Sequence, residues 1–204
     1  MAEIGKEKQP HVANIDFVEF YRLAFANQEG ARRFVEEVEQ LPPSRNTPKV
    51  ALHQAARMLW LADRIEEVAR GRPALQILFF LIAAEAVAKI VFGFKGEGKS
   101  RYYVHRFFAE ICSQEHRDRL ASAFSTVGRG HFSCEETVNY LYDVRCDVVH
   151  EGMYFGMNLK LPGDTVDTLT QFSGRSIIAH ITAKDIRQIV LEGSVLGCRK
   201  LLKV

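Results

Sequence analysis

Apolar residues recur at helical spacing along most of this chain, and the gaps between apolar stretches carry capping and turn residues. Asn14 or Asp16 caps a first helix predicted to run to about Gln40. Leu41 to Thr47, with two prolines, reads as a loop. Thr47 followed by Pro48 predicts a second helix that runs to about Arg70 and stops at Gly71. Pro73 opens a strongly apolar helix over residues 74–93, and residues 93–100 form a loop rich in Gly and Lys. Ser100 is the expected cap of a helix through about Ile111, and Ser113 the cap of another ending near Gly128. Ser133 with Glu136 makes the capping box of a helix over 134–151. The texture then changes. Met157–Leu161 and Ser176–Thr182 alternate or are β-branched, and Pro162-Gly163-Asp164 follows the first as a turn, which predicts a small β-hairpin within 153–182. Thr182 and Asp185 restart a helix to Leu202.

The pattern therefore predicts a mainly α fold: a helical bundle with a small β-hairpin insertion before the C-terminal helix, as a single domain over 1–204 with a loose arm at 1–13. A chain of 204 residues can bury one sizeable core, and 47% hydrophobic with 25% charged residues argues against disorder. The net charge of +2 supplies no global field for nucleic acid, so any such contact must be local. Of the four cysteines, Cys112, Cys134, Cys146 and Cys198, none forms a C-x-x-C pair. Reduced thiols, no metal site and no cofactor are the expectation. The polar N-terminus lacks the apolar core of a signal peptide, pointing to a cytoplasmic protein. Ala74 to Phe94 has the length of a membrane span but holds Glu85 and Lys89, each costing about 2.5–3.5 kcal/mol at a bilayer centre. A buried core helix, with no membrane contact, is expected instead.

The chemistry concentrates in residues 133–152. On a wheel of roughly 100° per residue, Val138, Leu141, Val144, Val148 and Val149 share one arc, and Arg145 falls inside it. A permanent charge there is expensive. Five residues on stands His150, the side chain type whose free pKa lies near neutrality. In a regular helix the two sit about 140° apart, but nearby Gly152 allows the last turn to change pitch and swing His150 round. Imidazole can remove the proton of a ribose 2′-hydroxyl, and a guanidinium fork can stabilise a phosphorane-like transition state, with Asp147 one turn back to tune His150. A structural role competes: a buried Arg often pairs with a carboxylate, and a His near a helix C-terminus often caps carbonyls. Glu85, isolated in its apolar run, needs a partner. Lys89 at i+4 and Arg145 are the two available, so Glu85 and Arg145 are expected to approach each other.

The segment Tyr140-Leu-Tyr-Asp-Val-Arg-Cys-Asp-Val-Val-His-Glu-Gly152 resembles the signature of the HEPN superfamily, and within it the ApeA-like group. Such domains carry an Arg, a short spacer and a His, often closing on His-Gly or His-x-Gly. Leu-Ile-Ala-Ala-Glu-Ala-Val-Ala-Lys, residues 81–89, is similar to the family's early acidic helix. The likeness covers roughly residues 74–152. It implies a helical bundle, a homodimer formed through the signature helix, and a ribonuclease activity found in defence or toxin settings. It assigns the catalytic pair to Arg145 and His150, and the residue pattern itself adds Glu85 to orient Arg145 and Asp147 to tune His150. Cys146 stands where active members usually have a polar residue, often Asn, so a non-catalytic module that binds RNA or protein is the alternative.

Gly93 to Ser100 also fits the G-x-x-x-x-G-K-[ST] phosphate-loop pattern, a second alternative of the nucleotide-binding class. That motif requires a preceding strand, whereas residues 74–93 are strong helix formers. Between Lys89 and His131 there are eight Lys or Arg against four acids, with Tyr102, Tyr103, Phe107 and Phe108 interleaved. Phe107 and Phe108 are expected in the core. Lys95, Lys99 and Arg101 are the expected contacts to an RNA backbone.

Overall fold

The computed structural model describes residues 15–128, 130–172 and 174–203. The arm at 1–13 and the cap Asn14 lie outside them. Asp16 caps α1 (Phe17–Tyr21) by accepting from the backbone N–H groups of Val18 and Glu19. The expected long first helix is broken: after a short 3-10 turn at Arg22–Ala24 the chain extends at Phe25, and Asn27 caps a separate α2 (Gln28–Glu39). An internal Asn that can take the Gly30 N–H at 2.8 Å competes with helix continuation. Next come α3 (Thr47–Val68) and α4 (Pro73–Val91), each with proline in its first turn.

The helix α5 (Ser100–Arg106) loosens into a π-helical turn at Phe107–Ile111. Ser113 caps α6 (Gln114–Ala121) in a capping box closed by His116. That helix is shorter than expected. Residues up to Gly128 include β1 (Phe124–Thr126), which pairs with β2 (Gly130–His131). Strands this short carry too few alternations to be read from sequence. The Ser133–Glu136 capping box starts α7 (Cys134–Cys146), which also ends in a π turn, Asp147–Glu151. The insertion contains β3 (Thr168–Phe172) and β4 (Arg175–Ala179), and α8 (Ala183–Leu202) closes the bundle behind the Thr182–Asp185 box.

The four strands form one antiparallel sheet in the order β2-β1-β4-β3. One face, carrying Phe124, Thr170, Ile177 and Ala179, is buried. The hairpin exists, but Met157–Leu161 is not one of its strands. That segment buries Met157 and Leu159 and joins the rest through single bonds such as Lys160 N–H to Ile181 O, 3.2 Å. The hairpin closes next to Gly174 rather than at Pro162-Gly163-Asp164.

Helix α4 is the core element. It packs on α3 and α8 on one side and on α5 and α7 on the other. Ile77, Phe80, Leu81, Ala84, Val87 and Ala88 are fully buried. By length and composition it could cross a membrane, and half of its most apolar window is buried in this fold. Helix α8 comes close because two of its positions lack a side chain. A Cβ at Gly193 would stand 2.6 Å from Phe107 Cζ, and one at Gly197 2.7 Å from Val87 Cγ1. Phe107 and Phe108 are in the core. The element before Gly93 is the helix α4, so the phosphate-loop pattern lacks the strand it requires.

Candidate functional site

Helices α4, α5 and α7 meet around the carboxylate of Glu85, whose residue is 9% exposed. Glu85 Oε1 accepts from Ser100 Oγ at 2.7 Å and pairs with Lys89 Nζ at 2.7 Å. Glu85 Oε2 faces Arg145 Nη2 at 3.7 Å. The expected approach of Glu85 and Arg145 is therefore present, and so is the i+4 pair with Lys89. Ser100, expected as a cap, spends its hydroxyl on Glu85 instead, and Lys99 takes the cap position in left-handed backbone with φ 55°.

Arg145 is held on a second side by Tyr142. Its Nη1 donates to the Tyr142 hydroxyl at 3.3 Å, and its guanidinium carbon lies 5.1 Å from the ring centroid. Arg101 approaches the same ring at 4.6 Å. Two guanidinium groups thus share one phenol ring, an arrangement that concentrates positive charge. Arg101 is fixed by Asn139 Oδ1 at 3.1 Å and Asp143 Oδ1 at 2.5 Å, while His105 Nε2 meets Asn139 Oδ1 at 3.0 Å. Asn139 and Asp143 stand four residues apart on α7, as Arg101 and His105 do on α5. Matched i, i+4 pairs of acceptors and donors are the sequence signal that could have revealed this zipper.

The apolar arc of α7, the helix through which the resemblance implies a homodimer, is filled by the chain's own core: Val138 is 1%, Leu141 0% and Val144 2% exposed. The exposed apolar side chains come just after it, at Val149, Met153 and Phe155.

His150 lies in the π turn and is exposed. The turn is closed by Gly152, in left-handed backbone with φ 65°. Its N–H donates to Asp147 O, which also accepts from Met153 N–H at 3.1 Å. Bonding five residues apart puts more residues into the turn than an α-helix has, so the rotation from Arg145 to His150 is smaller than in a regular helix. Asp147 does not hydrogen-bond His150 among the described residues. Burial, then the charges of Glu151 and Asp143, hold its carboxyl above the usual value.

Arg145 and Glu85 are thus brought together, Arg101 joins them through Tyr142, and His150 follows at the end of the same helix. Lys95 and Lys99 are exposed on the loop before α5, with Lys99 Nζ 5.8 Å from the Phe94 ring and Lys89 Nζ 5.5 Å from it. Tyr102 is 54% exposed beside Arg106, whose guanidinium carbon lies 5.7 Å from its ring. An edge of this kind suits an anionic strand with unstacked bases. Among the described residues no group of three His, Cys, Asp or Glu is placed to hold a metal ion. Compared with protein-family models, with curated proteins and with solved structures, the chain finds no match in any of the three.

Proposed function

We propose that this protein is a HEPN-type endoribonuclease that cleaves RNA without metal and works as a homodimer. The observation that carries the reading is Arg145, its guanidinium tethered by Glu85 and Tyr142 one turn before an exposed His150. In this reading His150 accepts the 2′-hydroxyl proton, and the 2′-oxygen attacks the adjacent phosphorus. Arg145 meets the charge that develops on the phosphoryl oxygens. The 5′-oxygen leaves with a proton, giving a 2′,3′-cyclic phosphate and a free 5′-hydroxyl. A base and an acid are both needed, and His150 of a second copy is the natural acid. The exposed Val149, next to His150 in the chain, and Met153 and Phe155 after it give that second copy apolar surface to cover.

A second reading, an RNA-binding module without cleavage, is favoured by Cys146 after Arg145 and by the share of the Arg145 charge already facing Glu85. Labelled single-stranded RNA incubated with the protein and a chelator separates the two. Cleavage that persists with chelator and is lost in His150→Ala supports the nuclease. Retention of RNA without cleavage supports the binding module, and neither cleavage nor retention removes RNA from the account.

A further inference from the structure

The other face of the β-sheet, which is only partly exposed, holds a second array that the α7 chemistry does not use. Ser125 Oγ lies 2.7 Å from His180 Nε2, and His180 Nδ1 lies 2.8 Å from Asp167 Oδ2. Strand register builds it. Ser125 pairs with Ile178 in β4, so Ser125, Ile178 and His180 share one face. Asp167 precedes Thr168, which pairs with Ala179, and so falls beside His180. With Asp167 ionised, His180 Nδ1–H donates to it and Nε2 is left to accept the Ser125 hydroxyl proton. The bond from His180, then that from Lys160 at 3.2 Å, holds the Asp167 carboxyl below its usual value and keeps it charged.

Two further features point to a reaction rather than to a clasp. His131 stands opposite Ser125 on β2, with its ring centroid 4.9 Å from that of His180. A ring N–H there can donate to an oxyanion formed over Ser125. On the other side the row continues through half-buried Ile178 to Leu169, which is 55% exposed. That is an apolar rest for an acyl chain.

We propose that Ser125 is a nucleophile of the serine-hydrolase kind, activated by His180 and Asp167, which accepts the acyl group of small esters. Ser125 Oγ bonds to the ester carbonyl carbon while its proton passes to His180 Nε2. The tetrahedral adduct then breaks its bond to the alcohol oxygen, which leaves with that proton. Water attacks the acyl-serine, giving one proton to His180, and Ser125 departs with it. Ester and water become acid and alcohol, with no change of oxidation state. Ser125 is 7% exposed, which restricts the reagent to small acyl or phosphonyl groups.

The test is to treat the full chain with a small alkyl fluorophosphonate, which phosphonylates an activated serine with loss of fluoride, and to locate the adduct by peptide mass spectrometry. Hydrolysis of p-nitrophenyl acetate is followed in parallel. A single adduct on Ser125 is expected, absent in Ser125→Ala and formed at least a hundredfold more slowly in His180→Gln. Asp167→Asn, at an exposed position, is expected to slow labelling at least tenfold in protein that circular dichroism shows to be folded. No adduct, an adduct on another serine, or equal labelling in a folded Asp167→Asn protein overturns the proposal. None of these readouts involves RNA, so the outcome is independent of the α7 reading.

Discussion

Arg145 and Glu85 face each other at 3.7 Å from different helices, and Glu85 answers with both oxygens, one toward Arg145 and one toward Ser100 and Lys89. Two costly charges are thereby made to justify each other's burial. Removing one partner of such a pair costs about 3–5 kcal/mol when both are sealed. Here the side chains retain 12% and 17% exposure, so the loss is smaller. Glu85→Ala is expected to lower the unfolding free energy by about 2–3 kcal/mol, and Glu85→Gln, which still accepts from Ser100, by about 1 kcal/mol less. Urea denaturation measures both. Equal, negligible changes would show the pair to be idle.

Gly152 closes the turn that carries His150. A Cβ there meets nothing within 4 Å, so a substitution acts through backbone conformation alone. Gly152→Ala is expected to cost about 1–2 kcal/mol in stability. It is also expected to cut RNA cleavage by more than tenfold, since relief of the strain re-aims His150 by changing the pitch. Thermal denaturation and a cleavage assay on the same preparation check this. Full cleavage in a destabilised variant would detach the turn from the site.

The loop lysines provide a salt test. Each phosphate neutralised on a single strand contributes about 0.7 to the slope of log affinity against log salt. The double change Lys95→Ala and Lys99→Ala is expected to flatten that slope by about 1.4, measured by fluorescence anisotropy with single-stranded RNA. An unchanged slope would move the RNA path away from this loop.

Asp147 sets a dependence on pH. Its carboxyl is raised by burial, then by Glu151 and Asp143, so the folded protein binds that proton more readily than the unfolded chain does. The native state is accordingly penalised above the folded pKa and relieved as pH falls through it. Asp147→Asn is expected to stabilise the protein at pH 7 by up to about 0.5 kcal/mol, a small figure because the group is only partly buried. The gain should fade as pH drops below the ordinary aspartate value of about 3.9. Chemical denaturation across this range reads the difference directly.

Local chemistry explains what could be read along the chain. Asp16, Ser113, Ser133 and Thr182 each cap a helix through their own side chains. The Glu85–Arg145 approach followed from the cost of leaving either charge alone in an apolar setting. Pairings decided between distant segments were not legible. Strand β3 turns Thr168 and Thr170 toward the buried side, and Thr170 satisfies its hydroxyl by accepting from Asn158 N–H and donating to Gly156 O. Its inward positions therefore show no apolar alternation. Met157–Leu161 shows that alternation and forms no strand. Ser125, Asp167 and His180 are ordinary residues until the strand register places them in line.

The glycine notches of α8 bear on the order of synthesis. Helix α4 holds Glu85 and also leans on α8, where Gly197 admits Val87, while Gly193 admits Phe107 of the π turn after α5. While the ribosome still covers residues 183–202, that side of α4 lies open and the carboxylate facing Arg145 has no settled scaffold. The contact between Glu85 and Arg145 is consequently expected to reach its final geometry only once this helix has docked.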